Sequence, residues 1–304
     1  MSGSLHVSSP SLSLDIRSDN VAVITIDQPK GRANVLSSQL WTELASMVSP
    51  LQAQGDLHGL MLRSGKPGMF IAGADLNELA SSYSDNPVPT QAFMEQGLAV
   101  LAAIEALPFP TVALVDGYCL GGGLEVALAC DFRLAGTHAN AKFGMPELTL
   151  GLIPGWGGSQ RLPRLIGISR TIEMILGNLQ YNAETAKMAG LVESVTPSEE
   201  LVDAGTRLIE EAYRSGTWRP VRERKQRPLA IVDEEFAAAR RQVMERMANA
   251  PTQRAALELL DVMEQGCGLP LNDGIKLETA TFVRLAGTPE ARQLIGDFFV
   301  KRRK

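Results

Sequence analysis

Hydrophobic positions fall first into short alternations and runs, and later into helical spacing. Leu12 to Arg17 and Asn20 to Ile26 alternate or run apolar around a polar turn, which predicts a β-hairpin. Ser37 is placed to cap an amphipathic helix reaching about Val48. Leu57 to Leu62 reads as a buried strand, and Met69 to Asp75 as a short strand that ends on small residues. Asp75 can cap a helix from Leu76 to Ala80, residues 85–89 break the chain, and a helix follows from Thr90 to Ala106. Thr111 to Val115 reads as a buried strand, and Leu124 to Cys130 as a buried helix. The strand–strand–helix rhythm recurs up to about Ala135.

Helices are then expected within Ile153 to Ile166, from Gly167 to Leu176, from Ala183 to Ala189, and from Ser198 to Tyr213. Ser215 to Pro228 is basic and proline-marked, and reads as a surface connector. Four helical segments complete the chain: Asp233 to Met247, Thr252 to Glu264, Leu271 to Leu285 and Thr288 to Val300. The expected organisation is a disordered lead over 1–11, a core over 12–214, and a linker with helical extension over 215–304.

Composition narrows the function classes. A net charge of −5 carries no basic signature of nucleic-acid binding. No apolar run is long enough to span a membrane, and the first residues lack a secretion-signal pattern. Cys119, Cys130 and Cys267 lack metal-ligand spacing, so buried thiols in a reducing, cytoplasmic compartment are expected. His6, His58 and His138 suggest neither a zinc site nor a catalytic triad.

Candidate chemistry concentrates between Thr111 and Arg161. Gly121-Gly122-Gly123 sits at a strand-to-helix junction, where a ligand can approach the backbone and the first N–H groups of a helix can face an anion or oxyanion. Read alone, such a turn is only a packing device. Its context changes this: Glu125 lies inside an apolar helix, where burying a carboxylate is costly. Glu147 follows Pro146 in an apolar segment, and a second glycine turn, Pro154 to Gly158, comes soon after. Two carboxylates in apolar surroundings beside backbone donors suit proton transfer next to a polarised carbonyl.

Four stretches, in this order, resemble the crotonase superfamily of enoyl-CoA hydratases and isomerases: Phe70-Ile71-Ala72-Gly73-Ala74-Asp75-Leu76; Gly117-Tyr118 with Leu120 to Gly123 and Glu125; Pro146-Glu147 with Leu150-Gly151; and Pro154-Gly155 with Gly157-Gly158 and Gln160-Arg161-Leu162. The resemblance covers roughly residues 12–213. Weaker carriers, Gly274 to Glu278 and Ala291 to Phe299, resemble the helical linker after the hydratase part of multifunctional fatty-acid oxidation enzymes.

The resemblance implies an α/β fold: a spiral of strand–strand–helix turns in two roughly perpendicular sheets, then a helical extension. It implies that the backbone N–H groups of Ala74 and Gly122 form an oxyanion hole for the thioester carbonyl. Glu147 becomes the main acid/base residue, and Glu125 holds and activates water. Gly155 is expected at a helix start that helps keep Glu147 ionised. The CoA moiety is expected along Ala33, Ala72 and Gly73, with its phosphates near Lys30, Arg32 or Lys66. Met145, Leu152 and Trp156 are expected to line an acyl channel, although plain core packing explains them equally well. No metal and no separate cofactor are implied, because coenzyme A is part of the substrate.

The implied reaction is syn hydration of a 2-enoyl-CoA to a 3-hydroxyacyl-CoA in fatty-acid β-oxidation. A Δ3,Δ2-enoyl-CoA isomerase, alone or combined with the hydratase, is the rival within the family. A catalytically silent acyl-CoA-binding or scaffold subunit, docking a hydroxyacyl-CoA dehydrogenase or thiolase, is the rival outside it. The helices from residue 233 are expected to cover the surface through which simple crotonases form trimers, which implies a monomer or a subunit of a larger complex.

Overall fold

A computed structural model describes residues 5–81 and 87–302. Strands β1 (Leu5–Ser8), β2 (Leu12–Ile16) and β3 (Val21–Ile26) lead into helix α1 (Ser38–Val48). Strands β4 (Gly59–Ser64) and β5 (Gly68–Ile71) lead into α2 (Leu76–Ser81) and α3 (Val88–Glu105). Strands β6 (Thr111–Val115) and β7 (Gly117–Leu120) lead into α4 (Gly122–Ala129). Strands β8 (Phe132–Gly136) and β9 (Lys142–Gly144) lead into α5 (Gly158–Ile166) and α6 (Ile168–Leu176). Then come β10 (Tyr181–Asn182), α7 (Ala183–Met188), β11 (Ser194–Thr196), α8 (Leu201–Ser215) and α9 (Trp218–Gln226). The chain continues through α10 (Asp233–Arg246), α11 (Gln253–Cys267), α12 (Leu271–Ala286) and α13 (Pro289–Arg302).

The repeated strand–strand–helix turn builds two sheets at once. In the pairs β4/β5, β6/β7 and β8/β9 the first strand joins a seven-stranded sheet ordered β1-β2-β3-β4-β6-β8-β11, and the second joins a four-stranded sheet ordered β10-β9-β7-β5. Within the larger sheet β3, β4, β6 and β8 run parallel. Their alternate residues Val21, Val23, Met61, Val112, Leu114, Phe132 and Leu134 form one apolar face. Leu201, Ile209 and Ala212 of α8 pack on that face, together with Trp218. The expected α/β architecture with two sheets and a helical C-terminal region is therefore present.

Contacts divide the chain into two compact units. One comprises residues 1–73, 96–143 and 181–224, and holds the sheets. The other comprises residues 74–95, 144–180 and 225–304, and is largely helical. The C-terminal helices are not an independent appendage, since α11 and α12 pack on α5, and α13 packs on the turn Glu147–Leu150.

Several local expectations hold. Ser37 caps α1, its side chain accepting the Leu40 N–H at 3.2 Å. Asp75 Oδ1 accepts the N–H groups of Asn77 (2.9 Å) and Glu78 (3.4 Å) at the start of α2. Two expectations are corrected. The disordered lead over 1–11 is wrong for residues 5–8, which form β1 in antiparallel register with β2, Leu5 opposite Ile16. The buried Glu43 carboxylate fixes the turn that follows by accepting from Ser9 Oγ (2.6 Å) and Ser11 N–H (2.9 Å). Residues 1–4 lie outside the described residues, as do the first two of the break expected at 85–89, whose last two belong to α3.

The connector Ser215 to Pro228 is mostly helix α9, because Pro220 falls in the first turn, where its missing N–H costs nothing. Trp218 is buried, and Arg222 stacks over its ring with 4.5 Å to the centroid. No helix among the described residues is long and apolar enough to cross a membrane.

Candidate active site

The residues singled out from sequence fall into two groups, one in each unit. In the sheet-bearing unit, Gly121 turns the chain from β7 into α4 with φ 52°. The helical ladder begins when the Gly121 carbonyl accepts Leu124 N–H (2.8 Å) and Glu125 N–H (3.1 Å), so the Gly122 and Gly123 N–H groups lie ahead of it. Glu125 is in the first turn and only 1% exposed. A carboxylate there is favoured by the helix dipole, which offsets part of its burial cost.

Glycine is required where α4 meets β5. A Cβ on Gly123 would stand 2.3 Å from the Ile71 carbonyl oxygen. Gly73 adopts φ +114°, and a Cβ there would approach Leu120 O at 3.4 Å and Gly122 N at 4.0 Å. The ends of β5 and β7 thus bring Gly73 beside the Gly122 N–H.

Sequence reading passed over Asn34, which organises this end of β5. It is fully buried. Its Nδ2 donates toward Ile26 O (3.1 Å), Ser64 Oγ (2.9 Å) and Phe70 O (3.0 Å), and its Oδ1 accepts Gln28 N–H at 3.1 Å. Backbone bonds continue the seam from Ala72 N–H to Asn34 O (2.9 Å) and from Leu36 N–H to Gly73 O (2.8 Å). The signal available in sequence was a short amide between two turn-forming stretches. Ala33 is half-buried within this loop, and Ala72 is half-buried beside Gly73.

The basic residues separate. Lys30 and Arg32 are exposed. Lys66 is only 14% exposed; its Nζ donates to Gln28 O (2.5 Å) and Gly31 O (3.3 Å) and pairs with Asp27 at 3.3 Å. Its immediate work is to shape the loop.

In the helical unit, Ala74 directly precedes the capping Asp75 of α2. Glu147 opens a 3-10 turn, Glu147–Leu150. Its carbonyl accepts Leu152 N–H at 3.2 Å, and Gly151 closes the turn in the left-handed region with φ 69°. Its Oε2 is shielded from solvent. Met145, Leu152 and Trp156 are all buried. The Trp156 indole N–H donates to Met94 O at 3.1 Å, and its ring meets Phe93 edge-on at 5.3 Å.

The expectation for Gly155 is corrected. Helix α5 begins at Gly158, after Gly157 in a left-handed conformation with φ +97°, so Gly155 is not at a helix start. The α5 N-terminus faces a different carboxylate, that of Glu278 from α12. It accepts Gly157 N–H (2.5 Å), Ser159 N–H (2.7 Å) and Ser159 Oγ–H (2.5 Å). Gly155 itself is a close-packing position: a Cβ would meet Met94 Cε at 2.5 Å and the Phe282 ring at 2.8 Å.

The α11–α12 pair holds α5 at its other end as well. Arg164 Nη2 donates to the carbonyls of Cys267 (3.3 Å) and Leu269 (2.7 Å). Burial pushes the Cys267 thiol up to about 12, so it stays neutral.

The family model described as enoyl-CoA hydratase/isomerase matches residues 17–219. A solved enoyl-CoA hydratase from Bacillus anthracis is 27% identical with TM-score 0.62, and the match covers 97% of each chain. DspI of Pseudomonas aeruginosa is 28% identical with TM-score 0.63, covering 87% of this chain and all of that one. An enoyl-CoA hydratase from Bacillus halodurans, at 23% identity and TM-score 0.69 over 94% of this chain and 99% of that one, shares the fold. The chain belongs to the enoyl-CoA hydratase/isomerase family.

Proposed function

We propose that the protein adds water to a 2-enoyl-CoA thioester, placing OH on C3 and H on C2 to give a 3-hydroxyacyl-CoA. The observation that carries this is the buried Glu125 in the first turn of α4, three residues after Gly122. A carboxylate kept there at a burial cost suits a base that acts on water. Glu147, half-buried with one oxygen shielded from solvent, is the second carboxylate and exchanges the proton at C2. The N–H groups of Gly122 and Ala74 bind the thioester oxygen as negative charge develops on it.

The CoA moiety follows the loop containing Ala33 and the Ala72-Gly73 segment. Lys30 and Arg32 are its exposed phosphate partners, with Lys66 holding the loop beneath. Coenzyme A is carried by the substrate and not by the enzyme.

Crotonyl-CoA and 3-hexenoyl-CoA, given separately to the wild-type protein, test the proposal. Loss of the ultraviolet absorbance of crotonyl-CoA is the expected result. Gain of conjugated absorbance from 3-hexenoyl-CoA with no loss from crotonyl-CoA indicates an isomerase. Tight binding of both without turnover indicates an acyl-CoA-binding subunit.

A further inference from the structure

We propose that Glu278 is a positioning residue for the loop 155–159, and that through this loop helix α12 sets acyl-chain selectivity; this deepens the hydratase reading and rests on it. The loop contains Trp156, one of the candidate acyl-channel residues. One face of α12 holds it through residues spaced as neighbours on a helix, Ile275, Glu278, Thr279 and Phe282. Glu278 is fully buried and takes the three hydrogen bonds from Gly157 and Ser159. Thr279 Oγ1 donates to Gly155 O at 2.8 Å. The Phe282 ring abuts Gly155, and Ile275 Cδ1 abuts Gly157.

Trp156 is thereby fixed from several directions. Its carbonyl accepts Arg161 Nη1 at 2.6 Å, its indole N–H is held by Met94 O, and its two neighbouring glycines are gripped by α12.

The choice of cap is informative. A serine or aspartate at the N-cap would satisfy the start of α5 locally. The chain instead has Gly157 there, with no side-chain cap, and takes its carboxylate from a residue 121 positions away. Burying that charge is costly unless its hydrogen bonds are well made. The helix N-terminus and three donors supply them. What this gains over a local cap is a coupling between α12 and the position of Trp156.

The test compares kcat and KM for crotonyl-CoA and trans-2-dodecenoyl-CoA in wild type, Glu278→Gln and Glu278→Ala. Loss of folded enzyme lowers kcat equally for both substrates and leaves KM and the selectivity ratio unmoved. Loss of positioning raises KM for the long substrate. Glu278→Ala is expected to change the ratio of kcat/KM values about tenfold. Glu278→Gln keeps the reach and one acceptor, and is expected to change it about threefold.

An unmoved ratio in Glu278→Gln overturns the proposal, and this holds even if Glu278→Ala does not fold. If the wild type hydrates neither substrate, the hydratase reading falls, and amide hydrogen exchange over residues 152–160 decides the positioning role. Faster exchange there in Glu278→Gln, with β6 and β8 unchanged, supports the role. Unchanged exchange overturns it.

Discussion

The Asn34 side-chain amide donates to the Phe70 carbonyl at 3.0 Å, tying the loop between β3 and α1 to the end of β5, just before Ala72 and Gly73. The same nitrogen reaches the Ile26 carbonyl, so one buried side chain joins β3, its outgoing loop and β5. Asn34→Ala leaves several buried polar groups without this partner. It is expected to cost about 3 kcal/mol of stability by urea unfolding. Asn34→Asp, which turns acceptor oxygens toward those carbonyls, is expected to be worse. A loss below about 1 kcal/mol in Asn34→Ala would show that the amide does not organise this segment.

Glu43 makes stability depend on pH. Burial alone raises its pKa, but hydrogen bonds from Ser9, Gln39 and Ser11 outweigh burial and hold the carboxyl below the usual glutamate value. Its contribution is therefore complete above the unfolded pKa of about 4.3 and lost as pH falls through the lower folded value. Glu43→Gln is expected to be less stable than wild type at neutral pH, with the two converging in acid. A difference that stays constant from neutral to acid pH would contradict this.

Arg222 ties α9 to the segments that lead into β6 and β8. It pairs with the buried Asp131 at 2.7 Å and donates to the carbonyls of Leu107 (2.5 Å) and Phe109 (3.1 Å). Asp131 in turn accepts Thr111 N–H at 2.9 Å, where β6 begins. Arg222→Ala strands a buried carboxylate and is expected to cost about 3 kcal/mol, read as a lower urea midpoint with an unchanged slope. An effect that disappears in high salt would mark the pair as a surface one instead.

What sequence could reveal followed the range of the interactions involved. The caps Ser37 and Asp75 act within three residues, and the strand–strand–helix rhythm repeats locally, so both were legible. The Gly121 to Gly123 turn was legible because backbone geometry demands glycine where a Cβ would strike Ile71. Strand β1 was not, since four residues of mixed polarity become a strand only by pairing with β2. Helix α9 reads as a basic linker until Arg222 finds Asp131, 91 positions away. The start of α5 was misplaced at Gly155 for the same reason: its capping carboxylate comes from α12, and nothing near Gly157 announces it.

The most direct test of the proposed chemistry is kcat of Glu125→Gln with crotonyl-CoA, measured beside wild type at equal folded concentration. Glutamine keeps the size of the side chain and removes its ability to take a proton. The two-carboxylate account predicts a fall of about 10³-fold in kcat, with KM little changed. Retention of kcat within about threefold would contradict it, because Glu125 would then not act on the water.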